Sequence, residues 1–206
     1  MAFISIAEIL DIIIMSAAIG YIFSKSFARF NVFKKQEFSY KRGITWNDFL
    51  FSIYLVGPAI ILHEFGHKFV AMFLGYGATF HSPISIQHML NPTLLFTDFF
   101  ALLMVIALVS AYFGSGFIFF VPGYVALSSI TPPFQQLLIA FAGPGLNLIL
   151  WLGSKWLLKA GKIPQKYHLL AALTSRINMF LFILNMLPIP GFDGFKVFTS
   201  LFNLIM

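Results

Sequence analysis

The sequence predicts an all-α membrane protein, a bundle of about four to six transmembrane helices with short re-entrant β-strands. Of its 206 residues, 59% are hydrophobic and only 10% are charged, and the mean hydropathy is +0.89. Soluble domains carry about 25% charged residues, so a soluble monomer of this composition would expose large apolar patches. Several apolar stretches also approach or exceed the length of about 20 residues that a helix needs to cross a bilayer.

The apolar stretches predict helices at defined places along the chain. The first stretch, residues 2–23, lacks the positively charged start of a signal peptide, so we expect a retained helix rather than a cleaved leader. Further helices are predicted at residues 49–74, 134–158 and 169–190, with a shorter apolar tail at 192–206.

The long apolar stretch at residues 94–121 is interrupted near its end by Gly114 and Gly116 and is followed directly by Pro122 and Gly123. Irregular backbone at membrane depth is tolerated only where protein or a watery cavity satisfies its polar groups. We therefore expect this stretch either to cross the membrane twice or to re-enter it, with residues 117–121 and 124–127 as short strands.

The loop charges predict the orientation of an integral, multi-pass protein of the cell membrane. Residues 24–48 hold six basic residues against two acids, and residues 155–166 hold four basic residues and no acid. By the positive-inside rule both loops lie on the cytoplasmic face and the N-terminus lies outside. The net charge of +6 therefore indicates membrane topology, and we expect no nucleic-acid partner.

The second predicted helix contains His63-Glu64-Phe65-Gly66-His67. Histidines at positions i and i+4 of a helix lie about 40° apart around the axis and roughly 6 Å apart along it, so both imidazoles can reach one metal ion. Glu64 then lies beside the metal without binding it, which is the HExxH arrangement of two zinc ligands and a general base. The alternative is a helix that carries these residues by chance. A charged side chain at the bilayer centre costs about 2.5–3.5 kcal/mol, which weakens that alternative.

A catalytic zinc ion needs a third protein ligand and an open position. The chain has no cysteine, so the candidates are histidines and carboxylates: His81, His88, Asp98, His168 and Asp193. The first two fit interfacial histidines better, Asp98 fits a helix N-cap, and His168 borders a basic loop. Asp193 follows an apolar run broken by prolines and glycines, where a lone carboxylate needs a cation partner. The sequence therefore favours one zinc ion per chain, bound by His63, His67 and Asp193.

Asn147 ends the segment Ala-Gly-Pro-Gly-Leu-Asn at residues 142–147. Small residues allow helices to approach closely. The asparagine fits an interhelical hydrogen bond and fits equally well an amide donor to a substrate or to a developing oxyanion.

Together these motifs resemble the site-2 protease family of intramembrane zinc metalloproteases. The family pattern has HExxH, then Gly-Pro-x-x-Asn, then Asn-x-x-Pro followed by Leu-Asp-Gly; here they stand in order at residues 63–67, 143–147 and 185–194, with Phe192 in place of the leucine. The resemblance implies a single protease domain over residues 1–206, with a three-helix catalytic core at about 49–74 and 124–206. Residues 1–48 would add a helix and a basic loop, and residues 88–113 would be an insertion.

The resemblance implies a zinc endopeptidase that lies in the lipid bilayer and cleaves transmembrane protein substrates. Glu64 would be the general base, and Asn147 or Asn185 would steady the substrate or the oxyanion. An edge strand within residues 117–127 could receive the unwound substrate by strand addition. Two alternatives are an inactive membrane scaffold or chaperone of the same fold, and a metal transporter. The oligomeric state is not predicted.

Overall fold

The computed structural model describes residues 4–27, 45–113 and 123–206. Within these ranges the fold is helical with one two-stranded sheet, as the sequence predicts. The helices are α1 (Ile6–Phe27), α2 (Trp46–Phe73), α3 (Ile86–Leu90), α4 (Leu94–Thr97), α5 (Phe99–Phe113), α6 (Pro133–Lys159), α7 (His168–Asn185) and α8 (Asp193–Ile205), and the strands are β1 (Ala78–His81) and β2 (Tyr124–Leu127).

Four helical segments are long and apolar enough to cross a membrane. They are Ile6–Phe27, Trp46–Phe73, Pro133–Lys159 and Gln165–Asn185, the last of which includes a short 3-10 turn before α7. Each coincides with a helix that the sequence predicts. The shorter helix α5 has 15 residues and rises about 22 Å, which is less than the roughly 30 Å of a bilayer core.

The two-stranded sheet pairs β2 with β1. The strand predicted at residues 124–127 is confirmed, and residues 117–121 lie outside the described residues. Its partner, Ala78–His81, was not predicted as a strand. Four residues are too few for a period-two pattern to stand out from the sequence. The pairing continues past the strands, because the Ser128 amide donates to the Gly77 carbonyl at 2.9 Å.

The first of two compact units comprises Met1–Pro58 and His81–Tyr124. Within it α1 packs against α5. The Asp11 carboxylate on α1 accepts a hydrogen bond from the Ser82 amide at 3.2 Å and lies 3.9 Å from His81 Nδ1. The His88 Nε2 lies 3.7 Å from an Asp98 carboxylate oxygen. Three of the candidate ligands thus have local partners within this unit.

The second compact unit comprises Ala59–Phe80 and Val125–Met206. Helix α6 is its centre and packs against both α7 and α8. The C-terminal half of α2 approaches α6 at Gly66, where a Cβ atom would lie 2.9 Å from the Ala142 carbonyl oxygen. Gly66 is therefore required for this helix contact, which explains why a small residue stands between the two histidines of the motif.

Helix α5 begins immediately after Asp98. One Asp98 carboxylate oxygen accepts hydrogen bonds from the Phe100 amide at 2.8 Å and the Ala101 amide at 3.2 Å. These are the second and third residues of the helix, so Asp98 is its N-cap.

We predict that the Asp98→Ala substitution lowers the free energy of unfolding by about 1 kcal/mol, because two amide groups at the start of α5 lose their acceptor. Asp98→Asn keeps the acceptor and should unfold close to the wild-type temperature. Thermal unfolding of both variants in detergent micelles measures the difference. Equal losses in the two variants would contradict the capping role.

Candidate metal centre

Three potential metal ligands converge in the second unit. His63 Nε2 and His67 Nε2 lie 3.1 Å apart, and they lie 3.0 Å and 3.2 Å from the same carboxylate oxygen of Asp193. Helix α2 supplies both histidines, one turn apart, and the N-terminus of α8 supplies the carboxylate, 126 residues after His67. Among the described residues this is the group that could hold a metal ion, and it consists of the three ligands selected from the sequence.

The other ring nitrogen of each histidine is already engaged. His63 Nδ1 donates to the Asn147 side-chain oxygen at 2.5 Å, and His67 Nδ1 donates to the Ile139 carbonyl at 2.7 Å. Both partners are acceptors, so each Nδ1 carries the hydrogen and each neutral ring presents the lone pair of Nε2. The two free lone pairs therefore face each other and the Asp193 carboxylate.

The residues fit a zinc ion. Two nitrogen lone pairs and a carboxylate oxygen within 3.2 Å of one another repel unless a positive charge lies among them. Zinc binds nitrogen and oxygen ligands at about 2.0–2.2 Å in a tetrahedron, which separates the ligand atoms by roughly 3.3–3.6 Å. The observed separations are close to these values. A set of two histidines and one carboxylate also leaves a fourth position open, as catalytic zinc sites do.

Glu64 lies beside this group without joining it. Its side chain is only 4% exposed and makes no hydrogen bond to the described residues. It interacts electrostatically with His63, Asp193 and Lys196. Both carboxylate oxygens of Glu64 are therefore available to accept a proton from a molecule held near the three ligands.

Asn147 is fully buried, with 0% of its surface exposed. Besides accepting from His63, it donates from Nδ2 to the Ala59 carbonyl at 3.2 Å and to the Asn178 side-chain oxygen at 2.9 Å. Both amide hydrogens are used within the protein. Of the two roles left open by the sequence, this geometry favours the interhelical hydrogen bond and leaves no hydrogen for a substrate.

Two glycines allow the ligands to meet. A Cβ atom on Gly143 would collide with His67 Nε2 and lie 2.8 Å from His63 Nε2, so only glycine permits α6 to pass the two rings. A Cβ atom on Gly194 would overlap the backbone of Met186 and lie 2.6 Å from the Leu187 carbonyl oxygen. Gly194 therefore packs the start of α8 against the end of α7, which positions Asp193.

The sequence reasoning missed four parts of the site: the Asn178 side chain, the Ile139 carbonyl, the charge of Lys196 and the steric role of Gly143. Asn178 could have been found as a polar residue within an apolar helix. The use of a backbone carbonyl has no signature in sequence. His168, a further candidate, is exposed and donates from Nε2 to the Ile163 carbonyl at 2.8 Å.

Comparison with known proteins finds one informative relative. The chain is 29% identical over 192 residues to a protein of Methanocaldococcus jannaschii, which carries the provisional name zinc metalloprotease. The aligned region covers 92% of this chain and 82% of the relative. No family model matches the chain, and no solved structure matches it.

We predict that Gly143→Ala abolishes metal binding, because its Cβ would occupy the space beside both Nε2 atoms. Gly153 lies on the same helix and a Cβ there would meet nothing within 4 Å, so Gly153→Ala is the matched control. Zinc content of the two purified variants, measured by atomic emission, checks this. Full zinc occupancy in Gly143→Ala would contradict the close approach of α6.

Proposed function

We propose that this protein is an intramembrane zinc endopeptidase of the site-2 protease type. The single observation that carries the proposal is the convergence of two imidazole nitrogens and a carboxylate oxygen within 3.2 Å, next to the buried carboxylate of Glu64. The likeness to a protein with the provisional name zinc metalloprotease supports metalloprotease activity. The three sequence motifs and the setting of the site in α2 support the finer assignment.

In this proposal His63, His67 and Asp193 hold one zinc ion. When bound, zinc supplies a Lewis acid that polarises a carbonyl oxygen and lowers the pKa of water toward about 7. Glu64 accepts the proton of the attacking water and passes it to the leaving amine. The Asn147 and Ile139 acceptors keep the two imidazoles oriented while this happens.

The position of the site supports a substrate within the membrane. His63, Glu64 and His67 belong to α2, one of the four helices long and apolar enough to cross a bilayer. A transmembrane helix hides its carbonyl groups in internal hydrogen bonds, so such a substrate must unwind before its peptide bond can react. Strand β2 pairs with β1 along one edge, and its other edge is a candidate for receiving the unwound segment.

Asn185 is the better candidate for an amide donor to the substrate. It ends α7, directly before the Met186–Leu187 backbone against which Gly194 packs. Its side chain is half-buried and makes no hydrogen bond to the described residues. An amide with free hydrogens at the end of α7 can donate to a substrate backbone, whereas the hydrogens of Asn147 are engaged.

We predict that Glu64→Gln reduces cleavage of a membrane-spanning substrate by a factor of about 10² to 10⁴, the range associated with loss of a general base. The amide keeps the shape of the side chain and does not touch the three ligands, so zinc content should stay at the wild-type level. Proteolysis in detergent or proteoliposomes and metal analysis of the same preparation measure both quantities.

The paired measurement separates the proposal from its alternatives. An inactive scaffold would bind zinc and cleave nothing in either form. A transporter would move zinc across proteoliposomes, and Glu64→Gln would leave proteolysis unchanged because there is none. If the Glu64→Gln variant cleaved the substrate at the wild-type rate, Glu64 would not be the general base.

We also predict that removal of zinc by a chelator abolishes cleavage and that added zinc restores it. Asp193→Ala deletes a ligand that both imidazoles face at 3.0 Å and 3.2 Å, so this variant should lose the metal and stay inactive after zinc is added. Asp98→Asn, which changes a carboxylate in the first unit, should respond like wild type. Activity in a zinc-free preparation would reject a metal-dependent mechanism.

A further inference from the structure

We propose that Asn178 and Asn147 are positioning residues that together fix the tautomer of His63, so that its Nε2 lone pair always faces the other two ligands. This inference rests on the proposed function, because it assigns the two asparagines to the support of a zinc site. It gives a role to Asn178, which none of the sequence motifs contains. It also implies that Asn147 does not contact the substrate.

The two asparagines form a hydrogen-bond chain that leads from α7 to the metal ligands. Asn178 Nδ2 donates to the Thr174 carbonyl at 2.8 Å, and its Oδ1 accepts from Asn147 Nδ2 at 2.9 Å. Asn147 Oδ1 then accepts from His63 Nδ1 at 2.5 Å. The three hydrogen bonds run in the same direction. In each of them the donor lies on the side of His63 and the acceptor lies on the side of the Thr174 carbonyl of α7.

The direction of the chain is set by its backbone ends. The carbonyls of Thr174 and Ala59 can only accept. If Asn147 were flipped, its oxygen would face two other oxygens, the Ala59 carbonyl and the Asn178 Oδ1. If Asn178 were flipped, its oxygen would face the Thr174 carbonyl. Only one arrangement leaves no pair of acceptors in contact, and in that arrangement the hydrogen of neutral His63 lies on Nδ1.

Burial makes this arrangement rigid. Asn147 is 0% exposed and Asn178 is 1% exposed, so water does not compete for their amide groups. An unsatisfied buried amide costs free energy comparable to a lost hydrogen bond. The chain therefore holds the His63 ring and its tautomer before the metal arrives, as carboxylates and carbonyls do for metal-binding histidines in general. In this protein Asn147 is the partner of the metal-binding histidine, and Asn178 holds Asn147 in position.

The first test reads the tautomer directly. We would record nitrogen-15 chemical shifts of the histidine rings in full-length wild-type protein in detergent micelles, without metal, at a pH where the rings are neutral. We assign His63 by its loss in His63→Gln. The expected result is a hydrogen on Nδ1 of His63. A hydrogen on Nε2 would overturn the proposal, whether or not the protein proves to be a protease.

The second test compares zinc affinity by competition with a chromophoric chelator. Loss of a partner that orients a metal-binding histidine typically weakens metal binding 10- to 100-fold. We expect a loss in this range for Asn147→Leu and a smaller one for Asn178→Leu. Ser175→Ala is the matched control. It removes another hydrogen bond between α7 and α6, from Ser175 to the Trp151 carbonyl, and should leave zinc affinity unchanged.

The outcomes distinguish positioning from contact with the substrate. If Asn147 were an oxyanion donor, Asn147→Leu would lower kcat by about 10² to 10³, and none of the variants would change zinc affinity. That pattern would overturn the proposal, and so would wild-type zinc affinity in both leucine variants. If wild type bound zinc with the expected tautomer but cleaved nothing, the proposed function would fail and the positioning role would stand.

Discussion

The structure of the second unit depends on placing three electron-rich atoms within 3.2 Å of one another inside apolar helices. Such a cluster is unfavourable unless a cation lies within it. The surrounding backbone is arranged to make the approach possible, because Gly66 and Gly143 let α2 and α6 pack closely and Gly194 seats α8 against the end of α7. A larger side chain at any of these three glycines would move the ligands apart.

Around the ligands lies a second set of polar groups that faces away from the metal position. The Ile139 carbonyl and the Asn147 amide oxygen take the Nδ1 hydrogens of the two histidines. Their polarity matters because the low dielectric of the interior strengthens a hydrogen bond that is made and penalises one that is missing. Helix α6 thus supplies the partner of each ring, Ile139 for His67 and Asn147 for His63, and Asn147 in turn bonds Asn178 on α7.

The first unit contains polar groups of a different kind. Asp11 on α1 accepts from the Ser82 amide, and His88 lies near Asp98. These contacts join residues of the connection after β1 to helices, and Asp98 also caps α5. Histidines and carboxylates that could have been metal ligands on composition alone thus have structural partners, and the N-cap interpretation of Asp98 is confirmed.

Short patterns of neighbouring residues predict much of the fold and of the candidate site. The four span-length helices follow from runs of apolar residues, and the His63–His67 pair follows from helical spacing, because both depend on residues close in sequence. The choice of Asp193 needed the extra argument that a carboxylate at a broken apolar run requires a cation. What only the tertiary structure decided is the pairing of β2 with Ala78–His81 and the engagement of both Asn147 hydrogens, one of them by Asn178. Each depends on which atoms of distant segments come within hydrogen-bonding distance, and a one-dimensional pattern does not contain that information.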